Sequence, residues 1–270
     1  MTRNKLILVV GAAHSGTTIL DAALGVSPHV VGVGEALRLT EGGNPGHLGE
    51  AGAARVCTCG ARAGDCPLWS ALIPHLTSGV TVATHFPLVD AAARGLSSDV
   101  QYVLDSSPNA LDYLDAFGAF DVRVLHVTRD VRSWVASRRR RKGDNLVSAH
   151  LAWLRTVTRI DATLTSSGLP QFRLGYEELA LRPREVLGMI CDWLDVRFGE
   201  GMLTPFGNTG SHIITGNSSI RNRRLAASIR YDGSWMASDD FPLASAFLSS
   251  LCARTNRRLV YSNDLLKRRG

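Results

Sequence analysis

The chain has 270 residues, a formal net charge of +6 and a pI near 9.4. No apolar run is long enough to span a bilayer, and five cysteines, an odd number, do not suit a secreted disulfide framework. The positive balance fits a polyanionic nucleotide, an acidic acceptor or nucleic acid. No aromatic-rich recognition motif accompanies the basic clusters, so a nucleic-acid polymer is not the expected partner.

Arg3 and Lys5 precede an apolar run that passes directly into a glycine loop, without a small-residue cleavage pattern. The run therefore reads as a first strand rather than a leader, and the expected location is cytoplasmic. The strand is Leu6 to Val10. The loop is Gly11 to Thr18, and Ile19, Leu20, Ala23 and Leu24 continue with a helical period. Gly11, Gly16 and Thr18 keep the spacing of G-x-x-x-x-G-K-[ST], but Thr17 stands at the lysine position. Backbone N–H groups at a helix N-terminus still suit an anion there. The side chain that reaches the β- and γ-phosphates of a nucleoside triphosphate is missing.

Val30 to Gly34 is a short extended piece, and Glu35 follows it. A carboxylate just beyond a phosphate loop and its helix is well placed to act as a general base. Its alternative is an exposed surface glutamate. His47 and His85 are the reserve bases. Residues 41–66 are glycine-rich and carry Cys57, Cys59 and Cys66, so an irregular insertion is expected over about 41–81. Helices are expected over Pro87 to Gly95, Ala110 to Phe120, Leu146 to Leu164 and Arg184 to Leu194, the last after Pro183. Strands are expected over Val100 to Leu104, Val122 to Val127 and Phe172 to Leu174. A further helix follows Asp130, with Val131, Trp134 and Val135 on one face. It ends in the run Arg138 to Lys142, which is either a solvated face or an electrostatic funnel. A terminal helix over Asp240 to Tyr261 turns Leu251, Leu259 and Val260 inward, ahead of a frayed Lys267-Arg268-Arg269 tail.

Ala13-His14-Ser15-Gly16-Thr17-Thr18 resembles the loop of sulfotransferases that use 3′-phosphoadenosine 5′-phosphosulfate (PAPS), roughly P-[KR]-S-G-T-T. Four of the six positions agree, and His14 replaces the basic residue. The resemblance extends through further motifs. Gly34-Glu35 matches the Gly-Glu pair of the branch that includes tyrosylprotein and many bacterial sulfotransferases, where the glutamate is the proposed base. Arg129 at a strand end and Ser137 eight residues on match the 3′-phosphate site. Tyr176-Glu177-Glu178-Leu179 matches Y-E-[DE]-L, whose tyrosine lies near the adenosine. His212, Gly216, Asn217 and Arg221, followed by Asp232 and Trp235, approximate H-x(3)-G-N-x(2)-R and D-x(2)-W with one extra residue.

The resemblance implies a P-loop-like three-layer α/β fold: one domain with a central, mainly parallel sheet flanked by helices. It implies sulfuryl transfer from PAPS to a hydroxyl of a small-molecule, glycan or phenolic acceptor, giving PAP and a sulfate ester, with no required metal. Glu35 is then the base. Ser15, Gly16, Thr17, Thr18, Arg129, Ser137, Tyr176 and Arg221 (or Arg223) hold the cofactor. His14, protonated when the cofactor is bound, faces the bridging oxygen. Asp105 and Ser106 keep part of a D-K-[ST]-P or D-S-S-K motif without its lysine; they either face the acceptor and the sulfuryl group or form a simple turn. For Arg221 the alternative is a solvent-facing basic loop.

Three cysteines within ten residues can supply thiolates to zinc, with His47 or His75 as the fourth ligand. Reduced packing cysteines or a local disulfide are the alternatives, and no metal is the expectation. Two other functions fit the loop. A P-loop kinase needs a cation at Thr17 and a metal-holding aspartate such as Asp105. A nucleotide-binding protein without catalysis suits His14. The sequence leaves the acceptor and the oligomeric state open.

Overall fold

The computed structural model describes residues 3–40, 53–75, 80–216, 228–236 and 243–266. Its centre is β1 (Asn4–Val10), whose alternate side chains serve two cores. Leu6, Leu8 and Val10 enter one apolar cluster; Ile7 and Val9 enter the other. A strand buried on both faces needs a continuous apolar run, which is why this one does not alternate with polar residues.

Five strands form one sheet in the order β2 (Val30–Gly32), β3 (Tyr102–Asp105), β1, β4 (Phe120–Thr128), β5 (Gln171–Gly175). Every neighbouring pair is parallel. Parallel strands require crossovers, and helices supply them on both faces. Helix α1 (Thr17–Leu24) packs Leu20, Ala23 and Leu24 into the same cluster as Ile7 and Val9. On the opposite face lies α3 (Val82–Arg94), with Val82, Phe86, Val89 and Ala93; the four-residue α2 (Trp69–Leu72) joins it there. Phe86, Phe117 and Phe120 meet edge-on at 5.0, 5.6 and 6.3 Å between ring centroids. The arrangement is the expected α/β three-layer fold with a parallel sheet.

Helices α4 (Val131–Lys142) and α5 (Leu146–Ser167) bring Trp134 and Trp153 into a third cluster. Trp153 is fully buried and donates through Nε1 to the carbonyl of Arg129 at 2.9 Å. Truncating such a side chain costs about 3–5 kcal/mol. Helices α6 (Tyr176–Leu181) and α7 (Pro183–Leu194) follow β5, and α8 (Leu243–Leu251) and α9 (Ala253–Val260) end the described chain.

Several boundaries differ from expectation. The helix expected from Pro87 begins at Val82, because Thr81 and Thr84 form a reciprocal capping box five residues earlier. Residues Ala110–Phe117 form a kinked 3-10 segment, and Phe120 instead opens β4 opposite Asn4. The terminal helix is two helices meeting at Cys252. Leu259 and Val260 are buried as expected, whereas Leu251 lies at the surface on α8, 68% exposed. The 53–75 stretch has more order than an irregular insertion: a bridge between Val56 and Arg62, then three helical turns.

The strand order moves the chain from β1 to one side of the sheet through β2 and β3, and then to the other side through β4 and β5. The carboxyl end of β1 is therefore a switch point, where open α/β sheets hold ligands.

Candidate active site

The loop after β1 is held from three directions. Ser15 N donates to the carbonyl of Ala12 at 3.0 Å. Trp134 Nε1 donates to the carbonyl of Ala13 at 2.9 Å, and Arg129 Nη1 to the carbonyl of His14 at 3.2 Å. His14 has a positive φ of 69°, a conformation in which His is tolerated better than branched residues. Gly16 has φ 98°, and an added Cβ there stands only 2.8 Å from Cδ2 of Tyr176. Only glycine lets the loop turn against that ring. Thr17 and Thr18 then open α1 as buried residues. The first amides of a helix have no intrahelical acceptor, so this turn presents donors to an anion. Ser15 is fully buried, and its Oγ has no hydrogen-bond partner among the described residues.

Arg129 leaves the end of β4 with its guanidinium in a fixed position. Nε donates to Ser133 Oγ at 2.9 Å, Nη2 pairs with Asp232 Oδ2 at 3.0 Å, and the group lies 4.8 Å from the centroid of Tyr176. Ser133 Oγ donates in turn to Glu177 Oε1 at 3.0 Å, and Glu177 Oε2 accepts from Asp130 N at 2.9 Å. Burial, with the nearby charge of Asp130, pushes the Glu177 carboxyl up to about 7. Ser137 is buried one helical turn beyond Ser133, on the same face of α4. Tyr176 Oη donates to the carbonyl of Arg230 at 3.1 Å, which seats the 228–236 segment beside the arginine.

Glu35 sits at the start of a 3-10 segment, Ala36–Leu39, just past β2. It is 8% exposed; its carboxylate accepts from Arg38 Nη1 at 2.6 Å, and its carbonyl accepts from Thr215 Oγ1 at 3.1 Å. Gly216, with φ 92°, passes directly by this group: an added Cβ there stands 3.1 Å from Glu35 Oε1 and 3.4 Å from Thr18 Oγ1. The carboxylate and Thr18 in the first turn of α1 thus lie against the same residue, Gly216.

Asp105 and Ser106 are both buried, and their side chains are bonded to the scaffold. Asp105 accepts from Ala36 N at 3.0 Å and Ser107 N at 2.7 Å, which fixes the segment carrying Glu35. Ser106 Oγ donates to Asp21 Oδ2 at 2.9 Å. Asp21 escaped the sequence reading. It also accepts from Gly34 N at 3.1 Å, so α1 is tied to the residue before Glu35. An aspartate set beside Leu20 and among Ala22, Ala23 and Leu24 is its only sequence signal. Burial raises both acids, Asp21 and Asp105, to about 7.

The His14 side chain lies below its usual pKa, first through burial and then through the charges of Arg141, Arg129, Lys142 and Arg138. The basic end of α4 is therefore felt at the loop as well as exposed to solvent. Of the reserve bases, His85 is buried in α3, and His47 lies outside the described residues together with Arg221 and Arg223. His75 ends a 3-10 turn and does not join the three cysteines; His212 does.

Among the described residues no helix is long and apolar enough to cross a membrane. A search of curated protein sequences finds no match. Solved structures with the same fold include the sulfotransferase domain of the Synechococcus PCC 7002 olefin synthase, at TM-score 0.61 and 21% identity, covering 93% of this chain and 95% of that one. The sulfotransferase domain from the curacin biosynthetic pathway gives TM-score 0.61 and 20% identity over 94% and 99% of the two chains. Mouse sulfotransferase SULT7A1, solved with PAP, gives 0.51 and 11% over 98% and 89%. The sulfotransferase family model matches residues 7–200, from β1 through the glycine loop, Glu35 and Arg129 to just past α7, and the chain belongs to that family.

Proposed function

We propose that this sulfotransferase moves a sulfuryl group from PAPS to the hydroxyl of a small-molecule, glycan or phenolic acceptor. The observation that carries the reading is that the Glu35 carboxylate and Thr18 of the glycine loop both pack against Gly216, which brings them close to each other. In-line transfer needs a base on one side of sulfur and anion stabilisation on the other. Glu35 takes the acceptor proton as the acceptor oxygen bonds to sulfur. The bond from sulfur to the bridging phosphate oxygen breaks, and the electron pair stays on PAP. The amides opening α1, Thr17, Thr18 and His14 stabilise that charge.

Arg129 and Ser137 bind the 3′-phosphate, a task suited to a forked cation already aligned by Ser133 and Tyr176. Tyr176 lines the adenosine side, and Arg221, outside the described residues, is a further cofactor contact that the family resemblance implies. Asp232 holds the Arg129 fork before the cofactor arrives. The solved SULT7A1 complex with PAP supports the donor by analogy of fold. Thr17 in place of lysine argues against a nucleoside triphosphate. Asp105, the metal-holding candidate of a kinase reading, already accepts from two backbone amides. All five cysteines are unpaired, which suits a reducing, cytoplasmic setting.

Incubation with PAPS and a panel of sugar, aliphatic and phenolic alcohols tests this. The expected result is PAP formed in step with an acceptor that gains one sulfuryl group by mass. Phosphorylated acceptor from ATP and magnesium, with no sulfated product, contradicts it.

A further inference from the structure

Cys57 and Cys59 lie in a tight turn closed by Cys57 N to the carbonyl of Ala61 and Gly60 N to the carbonyl of Cys57, both 2.9 Å. Cys66 follows a 3-10 turn, and His212 comes from the far end of the chain. Cys66 Sγ stands 3.7 Å from Cys57 Sγ, 3.8 Å from Cys59 Sγ and 3.1 Å from His212 Nδ1; Cys57 Sγ is 3.8 Å from the same nitrogen. All four ligand atoms lie within 4.8 Å of one another. A tetrahedron with Zn–S bonds of about 2.3 Å has S···S edges of about 3.8 Å. The two sulfur separations around Cys66 are those edges, and they are far longer than a disulfide bond of about 2.05 Å. Cys57, Cys66 and His212 are buried, with Leu68, Trp69 and Ala63 packed around them, and Cys59 is on the outside.

We propose that Cys57, Cys59, Cys66 and His212 bind one structural zinc ion that fastens the 57–69 segment to the 211–215 stretch beside β2. Three thiolates and an imidazole form a closed set, with no position left for substrate, so the ion is structural rather than catalytic. The surrounding bonds already run between the same two segments. Trp69 Nε1 donates to the carbonyl of His212 at 2.7 Å, and Thr58 Oγ1 accepts from Ile213 N at 2.9 Å and donates to the carbonyl of Ser211. His212 N bonds the carbonyl of Gly32 at 2.7 Å, and Thr215, three residues on, holds Glu35. The ion thus ties the insertion to the wall that positions the base, and no sequence reading could pair His212 with cysteines 146 residues away or more.

The test is metal analysis of untagged full-length protein by inductively coupled plasma mass spectrometry, with melting curves before and after a strong chelator. The expected result is one zinc per chain, and a lower melting temperature after chelation that added zinc restores. Replacement by cobalt should give the intense thiolate-to-metal absorption of a tetrahedral site. Cys59→Ser, at the exposed ligand, should fold and lose zinc to a chelator that leaves the unaltered protein loaded. His212→Cys should retain the metal. A zinc-free protein whose melting temperature changes with neither chelator nor added zinc overturns the proposal. So does a disulfide among these cysteines in protein purified without oxygen.

Discussion

Arg129 Nη1 donates to the backbone carbonyl of His14 at 3.2 Å, so the arginine at the end of β4 and the loop after β1 form one unit. The two elements proposed to hold the cofactor's phosphates, from adjacent strands, are thereby joined directly. Ser133, Asp232 and Tyr176 hold the remaining edges and face of the same guanidinium.

Arg129→Ala should therefore weaken PAP binding about 10- to 100-fold, the equivalent of about 1.5–3 kcal/mol for charge-assisted hydrogen bonds. Arg129→Lys should recover little of it, because an ammonium group cannot reproduce the planar fork. Isothermal calorimetry with PAP measures both. Unchanged affinity in the alanine variant would remove Arg129 from the site.

Glu35→Gln keeps the side-chain shape and removes the proton acceptor. Turnover should fall by about 10²- to 10⁴-fold, while PAP affinity stays near that of the unaltered protein. Near-normal turnover would assign the base elsewhere.

His14 gives a pH signature. Burial and then the charges of Arg141, Arg129, Lys142 and Arg138 hold its folded pKa below 6.5, so the free protein carries it neutral at pH 7. An anionic ligand raises that pKa, and binding then takes up a proton. PAP affinity should strengthen as pH falls through the bound-state pKa. His14→Ala should flatten the profile. An identical pH dependence in both proteins would show that His14 does not protonate on binding.

Asp21 affects stability with the opposite sign to an ordinary paired carboxylate. Its folded pKa is raised to about 7 by burial, whereas the unfolded value is near 3.8. The folded state binds the extra proton between those limits, so this contribution is full below pH 3.8 and is lost as pH rises to about 7. Asp21→Asn can still accept from Gly34 N and Ser106 Oγ but has no charge to bury. Denaturant melts at pH 5 and pH 7.5 should show a smaller loss of stability in the variant than in the unaltered protein. An equal loss in both would mean Asp21 is ionised throughout.

The parallel sheet was legible because its central strand is a continuous apolar run and its loop follows immediately. The places of Arg129 and Tyr176 directly after β4 and β5, and of Glu35 three residues past β2, were legible because apolar strand runs stop there. Asp21 could not, since a buried aspartate and an exposed one look alike in a helix. Asp105 and Ser106 read either toward the acceptor or as a simple turn; the bond from Ser107 N to Asp105 is such a turn, while those to Ala36 and Asp21 are contacts that a motif does not encode. Leu251 was misplaced because the terminal helix breaks at Cys252, which resets the helical phase.

The central claim is that this site is built for an adenosine bisphosphate rather than a nucleoside triphosphate. A thermal-shift titration of the unaltered protein with PAP, set beside AMP, ADP and ATP with magnesium, tests it most directly. The account predicts a large upward shift with PAP and a small one with the others, because only PAP offers a phosphate to Arg129 and a second to the loop. Stabilisation by ATP with magnesium and none by PAP would contradict it.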